Sequence, residues 1–260
     1  MNLFPIAKEG RRKGKGTGAG EFIPLRVSHL DELIDKHGVE RGSTLLISGG
    51  CGTGKSTFCM QSVYNSALHG ERGIYISFEE SPEKLRRHML GNFGWDLEKL
   101  EDEGRLALLR IDPFELARSV EAAVAHQREK LLIEVKDLEL PFKPDRVVID
   151  SLTALSSAFM EHAEEYRTYV RHLFKTFASL NAVTFAITET EQEPRMYSRL
   201  GIEEFLSDGV IVMYNIKKGV ARERGIEILK MRCCGHVRRI VPYEITNRGI
   251  AIHAHGRIHV

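Results

Sequence analysis

Along most of this chain, short apolar runs alternate with longer stretches in which apolar positions recur every three or four residues. The short runs are Thr44–Ser48, Gly73–Phe78, Leu106–Ile111, Arg146–Asp150 and Ala182–Thr188. Each is nearly continuous rather than alternating, which predicts strands covered on both faces of a parallel sheet. Between them lie segments of helical length: Lys55–His69, Pro82–Phe93, Phe114–Lys136 and Glu161–Asn181. In the last, Tyr166, Tyr169, Val170, Leu173, Phe177 and Leu180 fall at helical spacing, as core packing requires. Its acidic start (Glu161, Glu164, Glu165) complements the positive end of the helix dipole. A short amphipathic helix is predicted earlier, near Ser28–Lys36. Past Asp208 the pattern becomes one of successive strands, Gly209–Asn215, Ile226–Met231, Val241–Thr246 and Ile250–His253. Turns such as Lys217-Lys218-Gly219 and Asn247-Arg248-Gly249 separate them. The expected fold class is α/β: a mainly parallel central sheet flanked by helices, with right-handed crossovers, extended by C-terminal antiparallel hairpins.

One segment stands outside this pattern. Glu9–Glu21 carries five Gly and four basic residues, with Ala19 its only apolar side chain. Residues 1–21 are therefore expected to form a flexible, basic, Gly-rich arm, because too little surface can be buried to offset the ordering entropy. No linker or internal repeat divides the remainder, so 22–260 is expected to be a single domain. With 42% hydrophobic and 28% charged residues, the chain holds ample material for a core. The net charge of +1 excludes the strongly basic footprint of a dedicated nucleic-acid binder, leaving only local patches. No apolar run approaches the ~18 residues that cross a membrane. Met1–Lys15 lacks the apolar core of a secretory signal. Cys51, Cys59, Cys233 and Cys234 do not make a disulfide framework, so a cytoplasmic protein with reduced thiols is expected.

Candidate chemistry starts at Gly49–Ser56, GGCGTGKS, which fits G-x-x-x-x-G-K-[ST] between a buried strand and a helix. Gly50, Cys51, Gly52, Thr53 and Gly54 would turn backbone N–H groups inward around phosphates, where a Cβ would obstruct. Lys55 would reach the β- and γ-phosphates, Ser56 would ligate Mg²⁺, and Thr57 continues the first helical turn. The helix N-terminus adds partial positive charge. Asp150, ending an apolar strand, would supply the second Mg²⁺ carboxylate at the sheet edge where ligands bind. Glu79 and Glu80 end another strand at that edge, and repulsion between them would raise the proton affinity of a general base. Thr188-Glu189 ends a third, in position to sense the γ-phosphate. Cys51 reads most simply as a variable loop position, and the His-containing tail as solvated.

The order of these motifs resembles the RecA-like ATPases, and the words around them resemble the KaiC family. The matching phrases are Ile76–Met89 (ISFEESPEKLRRHM), Phe93–Leu106 (FGWDLEKLEDEGRL), Val147–Leu155 (VVIDSLTAL), Gly201–Met213 (GIEEFLSDGVIVM) and EILKMR followed by GH within Glu227–His236. The resemblance implies Glu79 as the base on the lytic water with Glu80 its neighbour. It implies that Lys230 and Arg232, in KMR, reach across a subunit boundary to another subunit's ATP, with His236 near the nucleotide. Two residues apart on a strand, both cations can point the same way. Acting in trans requires heterologous interfaces, and the family's usual assembly is a homohexamer with ATP between subunits.

There are departures from the family pattern. Cys233-Cys234-Gly235 stands where the family has Gly then Ser or Thr, and Glu204-Phe205 stands where autophosphorylating members carry hydroxyls. Autokinase activity at those sites is not expected. The resulting expectation is a Mg²⁺-dependent ATPase ring serving as a regulatory or signalling module, with an unidentified protein partner. The alternative is a DNA-acting recombinase or helicase-type motor, for which Glu191–Phe205 offers Arg195, Tyr197 and Arg199. A third class is a nucleotide-gated adaptor with negligible turnover.

Overall fold

The computed structural model describes residues 21–118, 140–159, 163–232 and 234–258. The expected N-terminal arm, apart from Glu21, lies outside the described residues, as does most of Phe114–Lys136; residues 113–118 are helical. Strands β1 (Phe22–Ile23) and β2 (Val39–Glu40) pair with each other. The main sheet contains β3 (Thr44–Gly49), β4 (Gly73–Ser77), β5 (Leu106–Arg110), β6 (Arg146–Asp150), β7 (Val183–Glu189), β8 (Gly209–Lys218), β9 (Ala221–Met231), β10 (Val241–Thr246) and β11 (Gly249–Ile252). Their order is β11-β10-β9-β8-β3-β7-β6-β4-β5. From β8 through β5 the neighbours pair in parallel, and from β8 through β11 they pair antiparallel. The predicted parallel sheet with an antiparallel extension is therefore the observed one.

The helices are α1 (Lys55–Leu68), α2 (Pro82–Phe93), α3 (Leu97–Asp102), α4 (Leu152–Ala158), α5 (Ala163–Ser179) and the single turn α6 (Glu203–Leu206). Both sheet faces are buried, as the near-continuous apolar runs demand. Leu45, Ile47, Tyr75, Val148, Phe185 and Ile187 pack with Phe58, Cys59 and Val63 of α1. Their strand neighbours Leu46, Ile74, Ile76, Val147, Ile149 and Ala186 pack on the other face with Tyr166, Tyr169, Val170, Leu173 and Phe177 of α5. Each fully buried aliphatic side chain contributes roughly 1.5–3 kcal/mol relative to exposure.

The helix expected near Ser28–Lys36 is not formed. Only Asp31–Leu33 makes a turn of 3₁₀ helix. The Asp31 carboxylate accepts hydrogen bonds from Leu25 N (2.7 Å) and Arg26 N (3.1 Å), while His29 (φ 58°) and His37 (φ 49°) bend the chain on either side. Side-chain hydrogen bonding to local backbone competes here with helix formation. The segment is pinned beneath the sheet by Arg146, fully buried, which donates to Pro24 O and pairs with Glu71 at 2.8 Å. β9 begins earlier than its apolar pattern indicated, because Ala221–Arg224 continues a two-stranded ribbon with β8 beyond the reach of β10.

Candidate functional site

Strand alternation sets what reaches the carboxyl edge of the sheet. Tyr75 and Ser77 of β4, Val148 and Asp150 of β6, and Ile187 and Glu189 of β7 share the face covered by α1. Beyond this edge the chain leaves β3, forms the loop Gly50–Gly54 and enters α1. Gly52 (φ 73°) and Gly54 (φ 88°) hold left-handed conformations that a side chain would strain. A Cβ on Gly54 would also stand 2.8 Å from Ile245 Cδ1. The loop is internally braced: Thr53 Oγ1 donates to Gly50 O at 2.9 Å, and the Tyr243 hydroxyl donates to Thr53 O at 2.5 Å.

Ser81, Asp96 and Ser151 cap α2, α3 and α4 with side-chain oxygens, whereas α1 has no side-chain cap. The first backbone donors of α1 thus open onto the loop's hollow, as an anion requires. Lys55 is buried and donates to Gly49 O and Gly50 O, both at 2.9 Å. Burial lowers its proton affinity, opposed by the charges of Glu189 and Asp150.

A cavity of about 300 Å³ lies over this loop. Cys51, Gly52, Gly54, Lys55, Ser56 and Thr57 line it from the loop and α1; Ser77, Glu79, Glu80, Asp150, Ile187 and Glu189 line it from the strand ends. Asp150 accepts from the Tyr75 hydroxyl at 2.5 Å, with Ser56 on the same cavity wall. Burial raises its proton affinity, against the lowering effect of the nearby Tyr75 and Ser56 hydroxyls and of Lys55. A serine hydroxyl beside a carboxylate is a hard-oxygen donor set, and with the uncapped helix end it fits a Mg²⁺–nucleotide polyphosphate.

The two strand-end glutamates diverge. Glu80 pairs with Lys84 at 2.7 Å. Glu79 instead accepts from Ser151 Oγ at 3.1 Å, and its proton affinity is raised, first by burial and then by Asp150, Glu189 and Glu80. The rise expected from repulsion is thus dominated by desolvation. Thr188 is buried and shares a 3.4 Å contact with Thr153, while Glu189 faces the cavity.

Some expected site residues lie elsewhere. Gly50 is covered by Gln192, whose amide donates to Cys51 O at 3.0 Å; a Cβ on Gly50 would meet Gln192 Cδ at 2.6 Å. Thr53 is buried beneath the loop. Lys230, Arg232 and His236 do not line the cavity. Because β9 runs antiparallel to β8, Lys230 pairs with Val210, and Arg232 N donates to Asp208 O beyond it, at the amino edge of the sheet. Lys230 Nζ donates to Glu204 O (2.9 Å) and Ser207 O (2.7 Å), and Arg232 pairs with Asp208 at 3.0 Å. His236 bridges to Ile34. Sequence reasoning missed Tyr75, Ser151 and Gln192: the first is hidden in an apolar run, and the others lie in loops or caps with no spacing signal.

A phosphate loop leaving the central strand of such a sheet, with the antiparallel extension to one side, places the molecule among the RecA-like phosphate-loop NTPases. The chain belongs to the KaiC ATPase family within that class: a family model described as "ATPase: KaiC" matches residues 23–257. It is 37% identical over 240 residues to the circadian clock oscillator protein KaiC of Parathermosynechococcus lividus, a match covering 88% of this chain and 42% of that protein. The circadian clock oscillator protein KaiC 1 of Synechocystis sp. is 33% identical, over 97% of this chain and 48% of the relative. The chain thus spans less than half the length of these curated relatives. The crystal structure of a KaiC-like protein from the archaeon Pyrococcus horikoshii matches with a TM-score of 0.73 and 31% identity, over 90% of this chain and all of that one.

Proposed function

We propose that the protein is a Mg²⁺-dependent ATPase working as a homo-oligomeric ring, a hexamer by analogy with its family, in which each active site is completed by the adjacent subunit. In this reading the loop Gly50–Gly54 and Lys55 bind the phosphates, Ser56 and Asp150 hold the metal, and Glu79 takes the proton of the attacking water. Bound Mg²⁺ supplies charge neutralisation at the phosphates. Glu79 is favoured over Glu80 as the base because Lys84 already occupies Glu80. Lys230 and Arg232 act on the neighbour's nucleotide, with His236 near it, and a regulatory output through a partner protein is the natural use of such a ring. No described helix is long and apolar enough to cross a membrane, and a cytoplasmic site of action is proposed.

The observation carrying this reading is the opposite placement of loop and cations. Thr44, at the level of Arg232, is five residues from Gly49 along β3, roughly 16 Å, and β8 and β9 add roughly 10 Å sideways. Neither cation can serve its own loop, which leaves another subunit's loop as the place where the proposed charges would act. The motor reading is weaker, since a net charge of +1 offers single-stranded DNA no strongly basic surface. An ATPase rate unmoved by single-stranded DNA would remove it.

The test mixes two variants, Lys55→Ala and Arg232→Ala, each expected to lack turnover, under conditions of verified subunit exchange. A trans cation is worth roughly 10³–10⁵ in rate. Activity should return in the mixture and peak near equal parts. No return at any ratio, or full activity of Arg232→Ala alone, would contradict trans action.

A further inference from the structure

Tyr75 is fully buried in β4, among the apolar residues that pack against α1, yet its hydroxyl ends at the candidate metal site. It donates to Asp150 Oδ2 at 2.5 Å, and Ser56 lines the same cavity as that carboxylate. The register explains the contact. Tyr75 stands opposite Val148 and Ser77 opposite Asp150, so Tyr75 and Asp150 are diagonal neighbours on one face, within the reach of an aromatic side chain.

A buried tyrosine needs a partner for its hydroxyl, and a carbonyl normally suffices. Tyr243 finds one in Thr53 O. At Tyr75 the partner is instead the carboxylate at the cavity's edge. One of the two proposed metal-ligating side chains is therefore held by a rigid group fixed by the core. We propose that the Tyr75 hydroxyl is a positioning group for the metal site, holding one oxygen of Asp150 so that the carboxylate stays turned toward the cavity it shares with Ser56.

This rests on the metal role proposed above for Asp150 and Ser56. Outer-sphere hydrogen bonds of this kind orient ligands, and their loss typically lowers metal affinity 10–100-fold. Tyr75→Phe removes the hydroxyl and leaves the ring in its packing.

The experiment measures Mn²⁺ binding to the full-length, ADP-loaded protein by electron paramagnetic resonance, and ADP affinity separately in EDTA. Wild type, Tyr75→Phe, Asp150→Ala and the double variant are compared. Tyr75→Phe should weaken Mn²⁺ binding about 10-fold. ADP affinity in EDTA should stay unchanged, and the substitution should add nothing once Asp150 is alanine. If Asp150→Ala weakens Mn²⁺ binding and Tyr75→Phe does not, the inference alone is overturned. If Asp150→Ala itself leaves Mn²⁺ binding intact, the metal assignment falls and the inference with it. A Tyr75→Phe loss of ADP affinity in EDTA, or an effect undiminished in the Asp150→Ala background, would mean that the hydroxyl serves packing, and overturns it too.

Discussion

The two ends of the parallel sheet carry their cations in opposite ways. At the carboxyl edge Lys55 is sunk beside a cavity of about 300 Å³, with an uncapped helix end and four strand-end carboxylates, Glu79, Glu80, Asp150 and Glu189, around the same space. At the amino edge Lys230 and Arg232 line no such space; they are fastened to the segment Glu204–Asp208, beside Phe205, whose side chain is 71% exposed. One edge is shaped to enclose a ligand, and the other to present charge outward. In the proposed ring these opposite edges would meet head to tail, the presenting edge of one subunit against the enclosing edge of the next.

The comparison breaks most sharply at Lys55. Lys55→Ala removes the buried cation of the enclosing edge, and calorimetry should find nucleotide binding lost; micromolar affinity in the variant would refute the assignment of this edge. Next in size is Glu79→Gln, expected to retain binding and slow turnover by roughly 10²–10⁴-fold, with Glu80→Gln milder. The raised proton affinity of Glu79 gives this test a pH signature. A base must be deprotonated, so turnover should fall as pH drops through a value above that of an ordinary glutamate, and this acid limb should vanish in Glu79→Gln. A wild-type profile flat across that range would point to another base. The smallest effect belongs to Ser81→Ala, which uncaps α2 just past the glutamates. Its bond to Lys84 N is long, 3.3 Å, so roughly 0.5–1 kcal/mol of stability should be lost, read as a lower Tm with nucleotide affinity unchanged.

Much of the enclosing edge was legible from residue order, because it is local. The loop, the proposed metal-site pair Ser56 and Asp150, and the strand-end glutamates each sit at a break between a buried run and a helix. Arg146–Asp150 and Pro82–Phe93 match their predicted bounds, since a charged residue ends the first and Ser81-Pro82 starts the second. α3 escaped notice because six residues are too few to show helical period, although Asp96 capping Lys99 N marks its start. Ser28–Lys36 misled because its helical spacing of apolar residues said nothing of the Asp31 carboxylate turning back on Leu25 and Arg26. The presenting edge was legible only as a pair of charges. Its position depends on the antiparallel return of β9 and on contacts with Glu204–Asp208, which join residues more than twenty positions apart.

Those contacts bear on when disorder is given up. A free lysine or arginine side chain carries about 2 kcal/mol of rotamer entropy. Lys230 and Arg232 are already held by Glu204, Ser207 and Asp208 within the single chain. Their heads are thus ordered as the chain folds, not at the moment a neighbouring nucleotide is met, so in the proposed ring the interface must supply an exchange of hydrogen-bond partners more than the freezing of two free side chains.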